Sequence, residues 1–83
     1  MKTVYTNLLA ITDLQQAIVR YIDYWVHVEK TPISQKYIIE EMIRRGKKSS
    51  AVMHSLNGLL RQGYIRRTEP LSNSTSYVQL RRL

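Results

Sequence analysis

Apolar residues recur at spacings of three and four in three stretches of this chain, the spacing typical of helices that bury one face. The first stretch predicts a helix over Asp13–Glu29. Thr12 and Gln15 stand at its start with the spacing of a capping box, in which each side chain bonds the backbone N–H of the other residue. The predicted buried faces are Leu14, Ile18, Tyr21, Ile22, Trp25 and Val28 in the first helix, Ile38, Ile39, Met42 and Ile43 in the second, and Val52, Leu56, Leu59 and Leu60 in the third.

Caps and glycines indicate where the second and third helices begin and end. Ser34 is a good N-cap for the second helix, and Gly46 can adopt the left-handed conformation that ends helices. Ser49 or Ser50 is the predicted N-cap of the third helix, which Gly63 ends. Three helices are therefore expected before residue 64.

After Gly63 the pattern changes to β-branched and aromatic residues. Residues 64–69 and 76–83 predict two strands, joined by the polar loop 70–75. Ile33, in the link before the second helix, predicts a very short strand or a buried anchor. The predicted fold class is α+β, with a three-helix core followed by a two-stranded β-hairpin.

The length of 83 residues fits one small domain, which we place at residues 12–83. Residues 1–11 are a separate N-terminal segment whose role the pattern leaves open. Its apolar residues Leu8, Leu9 and Ile11 could pack on the core, prolong a helix, or form a dimerisation arm that contacts a second subunit.

Composition narrows the classes of function. The chain has no cysteine, which excludes disulfides and thiolate metal sites and fits a reducing cytoplasm. No window approaches the run of about 20 apolar residues that a bilayer span requires, so we expect a cytoplasmic protein without a membrane partner. The two histidines, His27 and His54, fall on different helices and have no ligand spacing, and we expect no metal and no cofactor.

Catalysis has little support in the sequence. The chain has neither a glycine-rich phosphate loop nor a cysteine nucleophile. Ser50 and His54 have the i, i+4 spacing that a serine–histidine pair could use, but no acidic residue stands near them to orient the histidine. The sequence therefore predicts that the protein is not an enzyme.

Positive charge is concentrated in the second half of the chain. The net charge is +7, yet residues 1–43 contain four basic and five acidic residues, whereas residues 44–83 contain nine basic residues and one acidic residue. Such a basic surface attracts polyanions, and we expect nucleic acid rather than a membrane as the partner. The alternative is a surface that only keeps the protein soluble.

The predicted third helix presents polar residues opposite its apolar face. Asparagine can pair with adenine and arginine with guanine in the major groove of DNA, and small side chains allow a close approach. The outward residues are Ser50, His54, Asn57 and Arg61, with Ala51 and Gly58 beside them and Met53 at the boundary. The alternative interpretation is an ordinary solvated helix face.

Basic residues flank this helix on both sides. Lys47 and Lys48 precede it, where Ser49, Ser50 and the free amides of the helix start can also hold a phosphate. The two strands then contribute two Arg-Arg pairs, which we expect to be neighbours in the hairpin: Arg66 and Arg67, and Arg81 and Arg82. In the hairpin tip, Asn73 and Ser74 are candidates for phosphate contact, although both are also common loop residues.

Three stretches, "ITDLQQAIVRYID", "TPIS" and "SSAVMHSLNGLLRQGYIRR", together resemble the winged helix-turn-helix DNA-binding domains, most closely the N-terminal domain of LexA-type repressors. The resemblance covers about residues 11–80. It implies that helix 50–62 reads the major groove, that hairpin 66–82 is a wing on the backbone or minor groove, and that a homodimer binds two half-sites. Similar small basic winged helices occur in phages and archaeal viruses, which act in the host cytoplasm.

The implied function is sequence-specific binding of double-stranded DNA by a transcriptional regulator, expected to be a repressor without a small-molecule ligand. The sequence departs from the helix-turn-helix pattern at Glu40 and Glu41, where a small residue is favoured, and in a long turn over residues 44–48.

Three alternatives remain open. One is a winged helix that contacts another protein, which should expose a contiguous apolar patch on the third helix. Another is an RNA-binding module, which usually has a row of exposed aromatic residues, and here the strands offer only Tyr64 and Tyr77. The third is an architectural protein that binds DNA without sequence preference.

Overall fold

The computed structural model describes residues 11–68 and 76–79, the last two of these by their backbone alone. This part of the chain forms three α-helices and a three-stranded antiparallel sheet, which is an α+β fold. The elements in chain order are α1 (Asp13–Glu29), β1 (Ile33–Ser34), α2 (Gln35–Arg44), α3 (Ser49–Gln62), β2 (Ile65–Arg67) and β3 (Ser76–Gln79).

The sheet has one strand more than the predicted hairpin. Its strand order is β1-β3-β2, and Ile33 pairs with Tyr77 on the central strand. Both side chains are fully buried, and the Tyr77 hydroxyl donates a hydrogen bond of 2.7 Å to Oε1 of Gln35 at the start of α2. The extended link before α2 therefore adds a third strand to the two-stranded hairpin, which confirms the prediction of a very short strand or a buried anchor at Ile33.

Local hydrogen bonds start the first two helices where the sequence predicts. At α1, the Gln15 N–H donates to Thr12 Oγ1 at 3.1 Å, and the Thr12 N–H donates to Gln15 Oε1 at 2.9 Å, which confirms the capping box. At α2, the Tyr37 N–H donates to Ser34 Oγ at 3.4 Å, so Ser34 is the N-cap.

The start of α3 differs from the prediction. Lys48 is its N-cap, with Ser49 and Ser50 already inside the first turn, and no side chain caps the helix. The expectation of a serine cap was therefore wrong, because the chain enters the helix one residue earlier. The predicted glycine ends are confirmed: Gly46 after α2 and Gly63 after α3 have φ angles of 90° and 80°, which favour glycine.

The core lies between the three helices and the sheet. Val28 and Ile43 were expected to be buried but are 53% and 49% exposed, whereas Val19 is fully buried. At 100° per residue, Val28 points about 120° away from Ile22, so it faces outward. The buried apolar residues are Ile11, Ile18, Val19, Ile22, Ile33, Ile38, Met42, Val52, Leu56, Leu59, Tyr64, Ile65 and Tyr77.

A close contact between α1 and α3 corrects the expectation for Gly58, which was placed beside the outward face. Gly58 is buried, and the side chain of Gln15 lies over it. The Nε2 group of Gln15 donates to the carbonyl oxygen of Ser55 at 3.4 Å. A Cβ at Gly58 would lie 2.7 Å from that nitrogen, so a larger residue at this position requires the end of the Gln15 side chain to move.

The described residues begin at Ile11, which is 6% exposed and belongs to the core. The core therefore includes the last residue of the N-terminal segment 1–11, and the other ten residues of this candidate dimerisation arm lie outside the described residues. None of the described helices combines the length and apolar character that a bilayer crossing demands.

Candidate nucleic-acid interface

One stripe of α3 carries the polar residues that the sequence singled out. The side chains of Ser50, His54, Asn57 and Arg61 are all exposed. At 100° per residue they fall within about 60° of arc and extend over about 16 Å of the helix axis. This is the geometry of a helix face that can lie along a groove. Met53, at its boundary, is partly buried against the core.

The start of α3 adds positive charge at one end of this stripe. Lys47, Lys48 and Ser49 are exposed, and the first intrahelical bond runs from the Val52 N–H to the carbonyl oxygen of Lys48. Because no side chain caps the helix, its first backbone donors face outward beside two lysines. This arrangement suits a phosphate group.

Strand β2 adds two arginines at the other end of the stripe. A shallow groove runs between the C-terminal half of α3 and β2, and its lining includes Asn57, Arg61, Arg66 and Arg67. Arg66 and Arg67 are both exposed, although neighbouring residues of a strand point to opposite faces of the sheet. The fold therefore brings together two helix residues and two strand residues that were predicted separately.

The register of the hairpin gives the partners of the first Arg-Arg pair: Arg66 pairs with Val78 and Arg67 pairs with Tyr77. The second pair, Arg81 and Arg82, lies outside the described residues, as do the tip candidates Asn73 and Ser74, so the expected proximity of the two Arg-Arg pairs stays a prediction.

Charge on this surface has one sign among the described residues. We define the basic surface as the exposed side chains Lys47, Lys48, Arg61, Arg66 and Arg67, together with the polar stripe of α3. In contrast, Arg44 at the end of α2 and Arg45 just after it share one carboxylate, which offsets one of their two positive charges. The carboxylate of Glu41 accepts hydrogen bonds from Arg44 Nη2 and, at 2.9 Å, from Arg45 Nε.

These contacts also change the acidity of Glu41. The hydrogen bond from Arg44, followed by the one from Arg45, holds the pKa of Glu41 below its ordinary value of 4.5. The two departures from the helix-turn-helix pattern thus have different surroundings. Glu41 binds both arginines across the end of α2, whereas Glu40 is exposed.

We predict that Glu41 stabilises the fold at neutral pH but not in acid. The pKa of Glu41 is lower in the folded chain than in the unfolded chain. The stabilisation is therefore fully present at pH values above the ordinary pKa of glutamate, and it is lost as the pH falls through the pKa of Glu41 in the folded chain. Denaturant unfolding at about pH 7 should give Glu41→Gln a lower free energy of unfolding than the wild type, and this difference should shrink as the pH falls to about 3. Glu40→Gln is the matched control, and an equal deficit for both variants would contradict the prediction.

Aromatic residues form a second surface, which the sequence did not predict as a unit. The ring centroids of Trp25 and Tyr37 lie 5.3 Å apart, and Tyr21 meets Trp25 edge-on at 6.4 Å. The guanidinium of Arg45 lies 5.6 Å from the centroid of the Tyr21 ring. Tyr21 and Trp25 belong to the predicted apolar face of α1, but the contact between Trp25 and Tyr37 depends on how α1 and α2 pack.

The described residues contain no cluster of three or more histidine, cysteine, aspartate or glutamate side chains that could hold a metal ion. Comparisons with protein-family models, with curated proteins and with solved structures found no match for this chain.

Proposed function

We propose that this protein binds double-stranded DNA as a winged-helix transcriptional regulator, with α3 in the major groove. The observation that carries the proposal is the exposed polar stripe of α3 between two groups of cations, Lys47 and Lys48 at one end and Arg61, Arg66 and Arg67 at the other. Phosphates on both sides of a groove can bind such cations while the stripe faces the bases.

The order of elements supports this assignment. Three helices precede an antiparallel hairpin, and an extended residue pair between α1 and α2 completes the sheet, an arrangement compatible with a winged helix. In that arrangement α3 is the recognition helix and β2–β3 is the wing. Arg66 and Arg67 would then contact the backbone or the minor groove.

The described side chains support DNA over the alternative partners. The large apolar side chains that are exposed, Tyr24, Val28, Tyr37 and Ile43, are all on α1 or α2, so α3 has no apolar patch for a protein partner. Tyr64, just before β2, and Tyr77, on β3, are 4% and 1% exposed and cannot stack on the bases of a single-stranded RNA.

Selection of bound sequences from a random duplex DNA pool tests the proposal, followed by titration of the enriched sequence against a scrambled one. A sequence-specific regulator should bind the enriched sequence at least about 1,000-fold more tightly at near-physiological salt. Equal, steeply salt-dependent binding to every duplex would indicate an architectural protein instead. Absence of binding to any duplex would refute the proposal.

We predict that Asn57 reads one base. It is exposed in the middle of the polar stripe, and an asparagine amide can bond both N6 and N7 of adenine. Asn57→Ala should relax the preference at one position of the site and cost about 1–3 kcal/mol of binding there. Competition with a panel of single-base variants of the selected site measures this, and an unchanged preference at every position would exclude Asn57 from the reading residues.

A further inference from the structure

Arg61 belongs both to the polar stripe of α3 and to the basic surface, so its side chain could contact either a base or a phosphate. The position of its guanidinium distinguishes it from the two arginines of β2. Its Nη2 group lies 4.0 Å from the point that a Cβ on Gly58 would occupy. The Arg61 side chain therefore runs back along α3 toward the start of the helix.

The guanidinium of Arg61 turns toward the side of α3 that faces α1. At 100° per residue, Gly58 lies about 60° from Arg61 on one side of the helix, and Leu60 lies about 100° from it on the other side. The side chain of Gln15 on α1 covers Gly58, whereas Leu60 lines the shallow groove beside β2. The guanidinium of Arg61 thus turns away from the two arginines of β2.

The hydrogen-bond donors of Arg61 are free within the part of the chain that the structure describes. No carboxylate or carbonyl oxygen there accepts a hydrogen bond from its guanidinium. Arg44 and Arg45, in contrast, share the carboxylate of Glu41. The acidic residues of the described ranges all lie on α1 or α2, so the Arg61 donors remain available to a partner.

The folded-back side chain keeps this guanidinium on the helix face that would enter the major groove. In that groove the base edges lie opposite the helix, whereas the phosphates lie along the two rims. An arginine that bonds both O6 and N7 of guanine makes the commonest specific contact there. Arg66 and Arg67 lie on β2, to one side of α3, which suits them to the phosphates of one rim.

The spacing of Asn57 and Arg61 limits how far apart their bases can be. The two residues are four positions apart on α3, so their Cα atoms differ by about 6 Å along the helix axis. Base pairs of DNA rise by about 3.4 Å per step. Two side chains at this separation reach bases that are at most about two base pairs apart.

We propose that Arg61 is a base-reading residue that bonds a guanine within about two base pairs of the adenine read by Asn57. The inference rests on the proposed function, and it names the class of DNA that the polar stripe selects: duplex sites in which these two purines stand close together. Arg66 contacts a phosphate instead, although it carries the same side chain.

Arg61→Gln and Arg66→Gln form a matched pair of variants that tests the assignment on the site selected from the random duplex pool. The wild type should prefer guanine at one position by at least about fivefold, and Arg61→Gln should lose this preference. Its slope of log K against log salt should equal that of the wild type. The position that it relaxes should lie within about two base pairs of the position that Asn57→Ala relaxes.

The Arg66→Gln variant should give the opposite pattern. Loss of one phosphate contact weakens binding to all sequences equally and makes the salt slope shallower by about 1, while the preference at every position stays unchanged. Both arginines are exposed, and circular dichroism checks that each variant is folded.

Three results would overturn the assignment of Arg61. One is an Arg61→Gln variant that keeps the preference for guanine, and another is one whose salt slope falls as much as that of Arg66→Gln. The third is a relaxed position that lies farther from the Asn57 position than about two base pairs. Failure of the proposed function looks different, because the wild type itself would then enrich no sequence from the pool.

Discussion

Replacing Lys47 and Lys48 together by alanine should weaken binding to every duplex DNA, whatever its sequence. Both lysines are exposed immediately before α3, next to backbone donors that no side chain caps. If each contributes one charge-assisted hydrogen bond to a phosphate, the loss is at least about 3 kcal/mol, or on the order of a hundredfold in Kd. The slope of log K against log salt should become shallower by about 2.

The slope of log K against log salt distinguishes the loss of a phosphate contact from a general loss of positive charge. Arg20→Gln combined with Lys30→Asn removes the same charge from α1, and asparagine tolerates the left-handed conformation that Lys30 adopts at the helix end. This control should keep the wild-type slope on a half-site duplex. A double lysine variant with an unaltered slope would show that neither lysine contacts phosphate, whatever its affinity.

The polar stripe and the basic surface illustrate which parts of a site are predictable from sequence. The exposed face of α3 follows from a single helical period, so Ser50, His54, Asn57 and Arg61 could be predicted without any tertiary information. The groove that joins Asn57 and Arg61 to Arg66 and Arg67 depends on how β2 leaves Gly63, which no local pattern specifies. The separate residues were predictable, but their grouping was not.

Helix caps and sheet pairing also differ in how far the local sequence determines them. The Thr12–Gln15 box acts within one turn, and it is present as predicted. Strand β1 is two residues long, too short for any periodic signal, so the sequence left Ile33 open between a short strand and a buried anchor, and only its pairing with Tyr77 on β3 shows that it is both. Likewise, the exposure of Val28 and the burial of Val19 depend on where the sheet and α2 meet α1, although both valines fit a helical apolar stripe.

Gly58 is a position where the same substitution should have opposite effects in two backgrounds. Alanine normally stabilises a helix by about 1 kcal/mol relative to glycine. In this chain, however, the new Cβ would lie 2.7 Å from Nε2 of Gln15, a residue that is only 9% exposed. Both polar atoms of the Gln15 amide are already bonded: Oε1 accepts from the Thr12 N–H, and Nε2 donates to the carbonyl oxygen of Ser55. Displacing Gln15 disturbs the capping box and the bond to Ser55, so Gly58→Ala should lower the free energy of unfolding by about 2 kcal/mol net.

In a chain without the Gln15 side chain, Gly58→Ala should raise the free energy of unfolding instead of lowering it. Gln15→Ala alone destabilises, because the Thr12 N–H loses the side chain that accepts from it and the Ser55 carbonyl loses a donor. Once the amide is gone, Gly58→Ala has room for its methyl group and should stabilise by up to about 1 kcal/mol through helix propensity.

The double-mutant cycle therefore has an expected coupling energy of about 3 kcal/mol, measured by urea unfolding of the four proteins. Asn57→Ala, on the exposed face of the same helix, is the control and should show the same small effect with and without Gln15. A destabilising Gly58→Ala in both backgrounds would mean that some group other than Gln15 sets the distance between α1 and α3. The packing of α3 on α1 would then rest on the apolar core alone, rather than on the Gln15 side chain that lies over Gly58 and bonds Ser55.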